Sequence, residues 1–227
     1  MSEEHSRVQK KGLDMNGRVL AAVTLAAVYW FPVRRWMGEW GSTPEERARV
    51  MPGDAVIAHA NHMETQAVTV NAPPSDIWPW LVQIGSQRGG LYSYDWLDRL
   101  FGFLERPSAS RILPEFQNLA VGDRIEWGRE YLTVAALDPN RTLVLSYEGL
   151  GMEWVWQFGL YPLDGQQTRL VSRGSERTPN TPMFWLFMRI MEPASFVMTT
   201  KMLLNLKNRA EGLCASGAAR SIAAKAA

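Results

Sequence analysis

The residue types that most often carry chemistry near neutral pH are scarce in the main part of this chain. From Met63 to the last residue there is no histidine, and Cys214 is the single cysteine. Ser-His-Asp and Cys-His arrangements are therefore excluded from this region. His59 and His62 are spaced for a shared metal on a helix, but no third ligand accompanies them, and we interpret them as solvated linker residues. We expect neither a metal nor a cofactor.

Other side chains could move a proton or hold an anion if the fold buried them. Glu126, Glu130 and Glu153 lie in predicted strands and would act as acids or bases only if burial raised their pKa; solvated glutamates are the alternative. Arg173 would anchor a carboxylate or phosphate if it faced inward; an exposed arginine is the alternative. We assign no catalytic residue.

A glycine-rich segment is followed by two tyrosines. Arg88-Gly89-Gly90 supplies hinge freedom, and Tyr92 and Tyr94 would close over a ligand as a mobile lid. An ordinary surface loop is the alternative. A phosphate-binding P-loop is not indicated, because no Lys-Ser or Lys-Thr pair follows the glycines.

Large apolar side chains are concentrated where the catalytic types are absent, since seven of the ten tryptophans follow Met63. The strongest alternation of apolar and mixed positions spans residues 152–163 and predicts a strand with one apolar face. That face comprises Met152, Trp154, Trp156, Phe158 and Leu160. It would either line a ligand pocket or pack into a core.

Periodicity and turn residues predict the elements that position these side chains. We predict a strand at 64–71, short helices at 77–84 and 96–101, strands at 121–127, 130–137, 141–148, 152–163 and 167–176, and a long helix at 182–212 with a kink or break at Pro193. Short connections imply antiparallel neighbours. The predicted class is α+β, a curved antiparallel sheet wrapped around a long C-terminal helix with an N-terminal helical extension.

The N-terminal part has a different character. Residues 1–16 are polar and predicted to be disordered, and residues 17–37 form an apolar helix in which 19–33 carry no charge. A helix of that run spans about 22 Å, less than the roughly 30 Å of a bilayer core, although flanking arginines can snorkel. We interpret it as a membrane anchor of undetermined orientation; a cleaved signal peptide and a helix packed on the domain are the alternatives.

The remaining boundaries follow from composition. Residues 38–61 form a connector with a short helix from Pro44, residues 62–212 form the domain, and residues 213–227 form a loose tail. The net charge of +1 gives no bulk attraction to nucleic acid, so we expect no nucleic-acid partner. The protein is expected at a membrane through residues 19–33, with the cytoplasm as the alternative, and the sequence does not indicate an oligomeric state.

Several segments resemble the SRPBCC superfamily, which includes START lipid-transfer domains and the polyketide cyclase/dehydrase-like branch. The similar segments are AVTVNAPP at 67–74, IWPWLVQIG at 77–85, RGGLYSYDWL at 88–97, VGDRI at 121–125, FVM at 196–198, KMLLNLK at 201–207 and RAE at 209–211. The sequence of these segments is most similar to bacterial members of the cyclase/dehydrase-like branch, and the resemblance covers residues 63–211.

This resemblance implies a helix-grip fold with an apolar cavity between the sheet and the long helix, entered near the loop after the first short helices. It implies binding of a hydrophobic small molecule or lipid, extended to transport or presentation. A cyclase/dehydrase-type enzyme using the same cavity and a ligand-free interaction module at a membrane are the alternatives. The residues expected to contact the ligand are Tyr92, Tyr94, Trp96, Trp127, Trp154, Trp156, Phe158, Arg173, Met198 and Met202.

Overall fold

The computed structural model describes residues 17–21, 24 and 29–226, with side chains except at 165 and 216–226. The chain divides into two compact units, Met1–Gly38 and Glu39–Ala227. In the first unit residues 17–21 are helical, and a π-helical turn, Tyr29–Val33, precedes a short α-helix, α1 (Arg34–Gly38). The predicted disordered segment 1–16 and residues 22–23 and 25–28 of the predicted apolar helix lie outside the described residues. Within the described ranges, no helix combines the length and the apolar character needed to cross a membrane.

The second unit is built on a six-stranded antiparallel sheet with the strand order β1-β6-β5-β4-β3-β2. The strands are β1 (His62–Val70), β2 (Arg124–Trp127), β3 (Glu130–Asp138), β4 (Thr142–Gly149), β5 (Met152–Pro162) and β6 (Thr168–Arg177). The α-helices described in this unit are α2 (Pro44–Ala48), α3 (Pro74–Val82), α4 (Asp95–Leu100) and α5 (Pro182–Ala226). The predicted α+β class and curved sheet are confirmed.

Each strand lies within three residues of its predicted bounds, because alternation and turn chemistry agree along the body. Tight hairpins join β2 to β3 and β4 to β5, with positive φ at Gly128 (64°) and Gly151 (75°). The start of β2 differs most: it begins at Arg124, since Asp123 is used in a turn in which its carboxylate accepts a hydrogen bond from the Ala120 amide at 2.9 Å.

The long C-terminal helix continues through both positions at which the sequence marked a possible interruption. Pro193 lies inside α5 without ending it, and the helix continues beyond Gly212 to Ala226. The residues after Gly212 are rich in alanine, the strongest helix former, so local propensity favours continuation.

The core lies between the inner face of the sheet and helices α3 and α5. Leu203 and Leu206 of α5 are completely buried, as are Leu143 of β4 and Phe158 of β5. Trp80 of α3 joins the same cluster. A fully buried aliphatic or aromatic side chain stabilises the fold by about 2 kcal/mol, so this interface fixes the helix across the sheet.

The connector covers the outer face of the same sheet. Thr43 caps α2 in a reciprocal capping box with Glu46, which orients the glutamate. The Glu46 carboxylate then accepts two hydrogen bonds from Arg169 of β6, each 2.8 Å long. The Ala67 amide of β1 donates to the Trp40 carbonyl at 3.1 Å. The connector therefore forms an outer layer of the second unit.

Candidate functional site

A cavity of about 220 Å³ opens between the inner face of the sheet and α5. Its walls come from β1, β2, β5, β6, the segment 91–103 and α5. The lining residues are Glu64, Leu91, Ser93, Asp98, Phe103, Trp127, Met152, Trp154, Trp156, Gly174, Glu176, Met191, Ser195, Met198, Thr199 and Met202. The sheet's alternation and its curvature together decide which side chains reach this space.

Three tryptophans form the aromatic wall. Trp154 and Trp156 are two residues apart on β5, so they share a face, and their rings stack with centroids 5.7 Å apart. Trp127 belongs to β2, three strands away in the sheet, yet its ring lies 5.6 Å from Trp154 and 5.3 Å from Trp156. Sheet curvature closes this gap. Trp156 donates its indole N–H to the Ser172 hydroxyl at 3.0 Å, which fixes the ring.

The α5 wall is built from residues at helical spacing. Met191, Ser195, Met198 and Met202 are three or four residues apart, and Thr199 is four residues after Ser195, so all five lie on one side of the helix. Methionine is unbranched and polarizable, so this wall can adapt to ligands of different shape.

Two glutamates enter the cavity from adjacent strands. Glu64 of β1 lies opposite Gly174 of β6, and Gly174 in turn lies opposite Trp156. Glu176 is two residues further along β6, on the same face. Burial, together with the carboxylates of Glu176 and Glu192, raises the pKa of Glu64 to about 7. Burial and the Glu192 carboxylate likewise raise the pKa of Glu176 to about 7, against the opposing charge of Arg189.

Asp98 of α4 supplies a third carboxyl group. Its side chain is completely buried, and Oδ2 accepts a hydrogen bond from the Ser93 hydroxyl at 2.7 Å. Oδ1 accepts none from the residues that the structure describes. Burial raises the pKa of Asp98 to about 6, with a smaller contribution from Asp95. The cavity thus carries carboxyl groups that can change protonation near neutral pH.

Five of the residues predicted to contact a ligand lie together in this cavity: Trp127, Trp154, Trp156, Met198 and Met202. Phe158 lies directly behind them, completely buried, with its ring 4.8 Å from that of Trp156.

The predicted lid has a different environment. Gly89 and Gly90 are buried, and the Gly89 carbonyl accepts a hydrogen bond from the Ala109 amide at 2.8 Å. Tyr92 is completely buried and accepts a hydrogen bond from Gln83 Nε2 at 2.9 Å, and burial raises the pKa of its hydroxyl. A side chain at Gly89 would meet this hydroxyl at 2.5 Å, so the glycine serves close packing rather than a hinge.

The other predicted contacts lie outside the cavity wall. Trp96 is 64% exposed, and Tyr94 is partly exposed with the Lys201 ammonium 5.3 Å from its ring centre. Arg173 faces the outer side of the sheet, because it is one residue away from Gly174, which faces the cavity. Its guanidinium pairs with Asp54 at 2.7 Å and donates to connector carbonyls, including that of Glu46 at 2.8 Å.

The cavity carboxyls are not those singled out by sequence. Glu126, Glu130 and Glu153 do not line the cavity, and Glu153 pairs with Arg177 on the strand β6. Glu64 and Glu176 were missed, although each occupies an inward position of its strand's alternation. In each strand the sequence shows a charged residue at a position where the alternation calls for an apolar one. This feature could be recognised as part of a site only once β1 and β6 were known to pair.

The sheet and the single long helix it wraps define the helix-grip fold. Solved structures similar to the chain include an aromatase/cyclase. CalU16 from Micromonospora echinospora is 14% identical, with 67% of this chain and 86% of that chain covered and a TM-score of 0.34. The Zhui aromatase/cyclase from Streptomyces sp. R1128 is 17% identical, with 66% and 94% covered and a TM-score of 0.35.

A third similar structure is the Aha1 dimer from Colwellia psychrerythraea, at 18% identity, with 64% of this chain and 98% of that chain covered and a TM-score of 0.36. No family model matches the chain, and no curated protein matches it. At these identities neither a substrate nor an activity carries over to this chain.

Proposed function

We propose that this protein binds a hydrophobic small molecule, or one end of a lipid, in the cavity between the sheet and α5. The observation that carries the proposal is the wall of Trp127, Trp154 and Trp156 facing the methionines of α5. The cavity volume of about 220 Å³ is somewhat below the roughly 300 Å³ at which drug-sized sites begin. A compact ligand fits this volume, and a longer one would extend through the opening. Transport or presentation of the ligand is the natural extension of this role.

A neutral fluorescent probe, N-phenylnaphthylamine, tests binding with the full chain. We expect its emission to rise on addition of protein, and Trp154→Ala to weaken binding about tenfold because a large part of the aromatic wall is lost. Trp96→Ala is the matched control, since Trp96 is exposed and outside the cavity. No binding by the folded protein, or equal losses in both variants, would contradict the proposal. The first outcome would favour the ligand-free interaction module.

A cyclase/dehydrase-type enzyme is the second candidate, and the carboxyl groups in the cavity favour it. Glu64, Asp98 and Glu176 have pKa values raised to between about 6 and about 7, the range in which a side chain can both accept and donate a proton near neutral pH. Liquid chromatography with mass spectrometry of a ligand recovered after incubation distinguishes the two roles. A ligand whose mass or retention time is altered by the wild type but not by Glu64→Gln, with affinity kept, supports catalysis; a ligand unchanged in both properties supports binding alone.

Membrane association through residues 19–33 remains a prediction from the sequence. Flotation of the full chain with phospholipid vesicles tests it. Replacing Leu20 and Leu25 by aspartate should abolish flotation, since a charge in so short an apolar run opposes insertion. Flotation that is unaffected by these changes would contradict the prediction.

A further inference from the structure

The charge of the cavity restricts the ligands it can accept. Glu64, Asp98 and Glu176 reach its surface from three different elements, and no lysine, arginine or histidine is found among the described lining residues. Arg189, whose positive charge opposes the raised pKa of Glu176, pairs with Glu192. A ligand carboxylate or phosphate would therefore meet like charge in a poorly solvated space, which is unfavourable.

Two carboxylate oxygens in this group have unused hydrogen-bonding capacity. Asp98 is completely buried; Ser93 satisfies Oδ2, whereas Oδ1 accepts no hydrogen bond from the described residues. Glu176 Oε2 is buried and equally lacks a partner within the described ranges. Buried polar atoms are normally paired, so these oxygens mark positions where a donor on a ligand would be stabilised.

The aromatic wall favours the same kind of donor. The stacked rings of Trp154 and Trp156, with Trp127 at 76° to Trp156, form two sides of a cage, and the Phe103 ring lies 5.3 Å from Trp127. The face of an indole ring is electron-rich and attracts ammonium groups, most strongly where water is excluded. Aromatic rings beside carboxylates therefore complement a positively charged nitrogen on an apolar body.

We propose that the cavity selects hydrophobic organic cations, with an ammonium group held between the tryptophan cage and the carboxylates of Asp98 and Glu176 and an apolar body against the methionines of α5. This inference rests on the proposed function, because it names the ligand class for the same cavity. A neutral molecule of the same shape gains only the apolar contacts, and an anionic one is repelled.

Three probes that differ only in their polar end test this selection: straight-chain phenylbutylamine, phenylbutanol and phenylbutyrate. Titration calorimetry with the full chain at about pH 8 keeps the amine protonated and the carboxyl groups largely ionised. We expect the amine to bind about tenfold more tightly than the alcohol, and the carboxylate to bind most weakly. Phenylbutyl-trimethylammonium, as a fourth probe, separates a free amine from a quaternary ammonium headgroup without adding a phosphate: tighter binding than the amine's would identify the quaternary headgroup as the source of the cation.

Isosteric variants attribute the preference to the carboxyl groups. Asp98→Asn and Glu176→Gln should each reduce the affinity for phenylbutylamine several-fold and leave that for phenylbutanol unchanged. Glu153→Gln is the control, because Glu153 is on the same sheet, pairs with Arg177 and does not line the cavity. Two variants are used so that the failure of one to fold does not remove the test.

The outcomes separate this inference from the function on which it rests. If phenylbutanol or N-phenylnaphthylamine binds and phenylbutylamine has no advantage over phenylbutanol, the cation preference is refuted and the apolar binding role stands. If none of the probes binds to the folded protein, both proposals fail. An advantage for the amine that persists in both variants would also overturn the assignment to Asp98 and Glu176.

Discussion

Raising the pH from about 5 to about 8 should destabilise this protein, and Glu64 should be a main cause. Burial and two neighbouring carboxylates raise the pKa of Glu64 from 4.5 to about 7. Between these two values the folded state holds a proton that the unfolded state has already released. The contribution of Glu64 to the free energy of unfolding is therefore complete below the unfolded pKa. It falls as the pH rises between the two values and is lost above the folded pKa.

The size of the loss follows from the shift. The difference between 4.5 and about 7 is about 2.5 pH units, and each unit corresponds to about 1.4 kcal/mol, so Glu64 alone can cost about 3 kcal/mol at about pH 8. Glu176, whose pKa is raised to the same value, interacts with the carboxylates of Glu64 and Glu192 and is opposed by the charge of Arg189, so it adds a loss of the same sign. The free energy of unfolding of a typical domain is roughly 5 to 15 kcal/mol, so the loss expected from Glu64 is a large fraction of the total.

Guanidinium unfolding of the wild type and Glu64→Gln at the two pH values isolates the contribution of Glu64. The variant has no group to ionise at this position, so it should lose about 3 kcal/mol less than the wild type across the window. Glu148→Gln on β4 is the control, because Glu148 is exposed. Equal pH dependence in the wild type and Glu64→Gln would refute the argument that this carboxyl is held protonated by its surroundings.

Three further predictions concern single contacts. Gly174→Val should weaken N-phenylnaphthylamine binding about tenfold with Tm unchanged, because its Cβ would make ordinary contacts, the shortest of 3.4 Å, while its methyl groups occupy the cavity; unchanged binding would contradict this. Arg173→Met should cost about 3 kcal/mol in urea unfolding, because the connector carbonyls lose a donor and Asp54 loses its ion-pair partner. Arg141→Met, at an exposed ion pair, should change stability by less than about 1 kcal/mol, and equal losses would contradict the assignment. Tyr92→Phe should cost about 1 kcal/mol through the lost Gln83 hydrogen bond while leaving probe affinity unchanged, and reduced affinity would contradict its placement outside the cavity.

The sheet could be predicted from sequence because its signals are local. Alternation over residues 152–163 and turns such as Gly149-Leu150-Gly151 depend only on neighbours in the chain, and they gave β5 within one residue of its observed bounds. The tryptophan wall was predicted on the same basis, since Trp154 and Trp156 are two positions apart. The C-terminal end of α5 was misjudged because a single glycine was weighed above the alanine-rich sequence after it.

The acidic part of the cavity depends on contacts that the linear pattern does not contain. Glu64 and Glu176 meet because β1 pairs with β6, and their register follows from tertiary packing. Asp98 reaches the same cavity from α4, and the periodicity of the sequence does not specify how that helix is oriented against the sheet. The predicted role of Arg173 as an anion anchor depended on its side chain facing inward. The face on which a strand residue lies can be assigned only when the neighbouring apolar positions are known to point to the core.

The pairing of β1 with β6 has a consequence for how the chain acquires its fold. Thr65 on the first strand and Arg173 on the last, joined by a hydrogen bond, are 108 residues apart. During synthesis β1 emerges long before its neighbour β6, and closing so large a loop is an entropic barrier that slows folding. Until β6 arrives, the backbone of β1 is an unpaired edge open to association with other chains. Pairing of the last strand, β6, with β1 therefore covers this edge and completes the sheet.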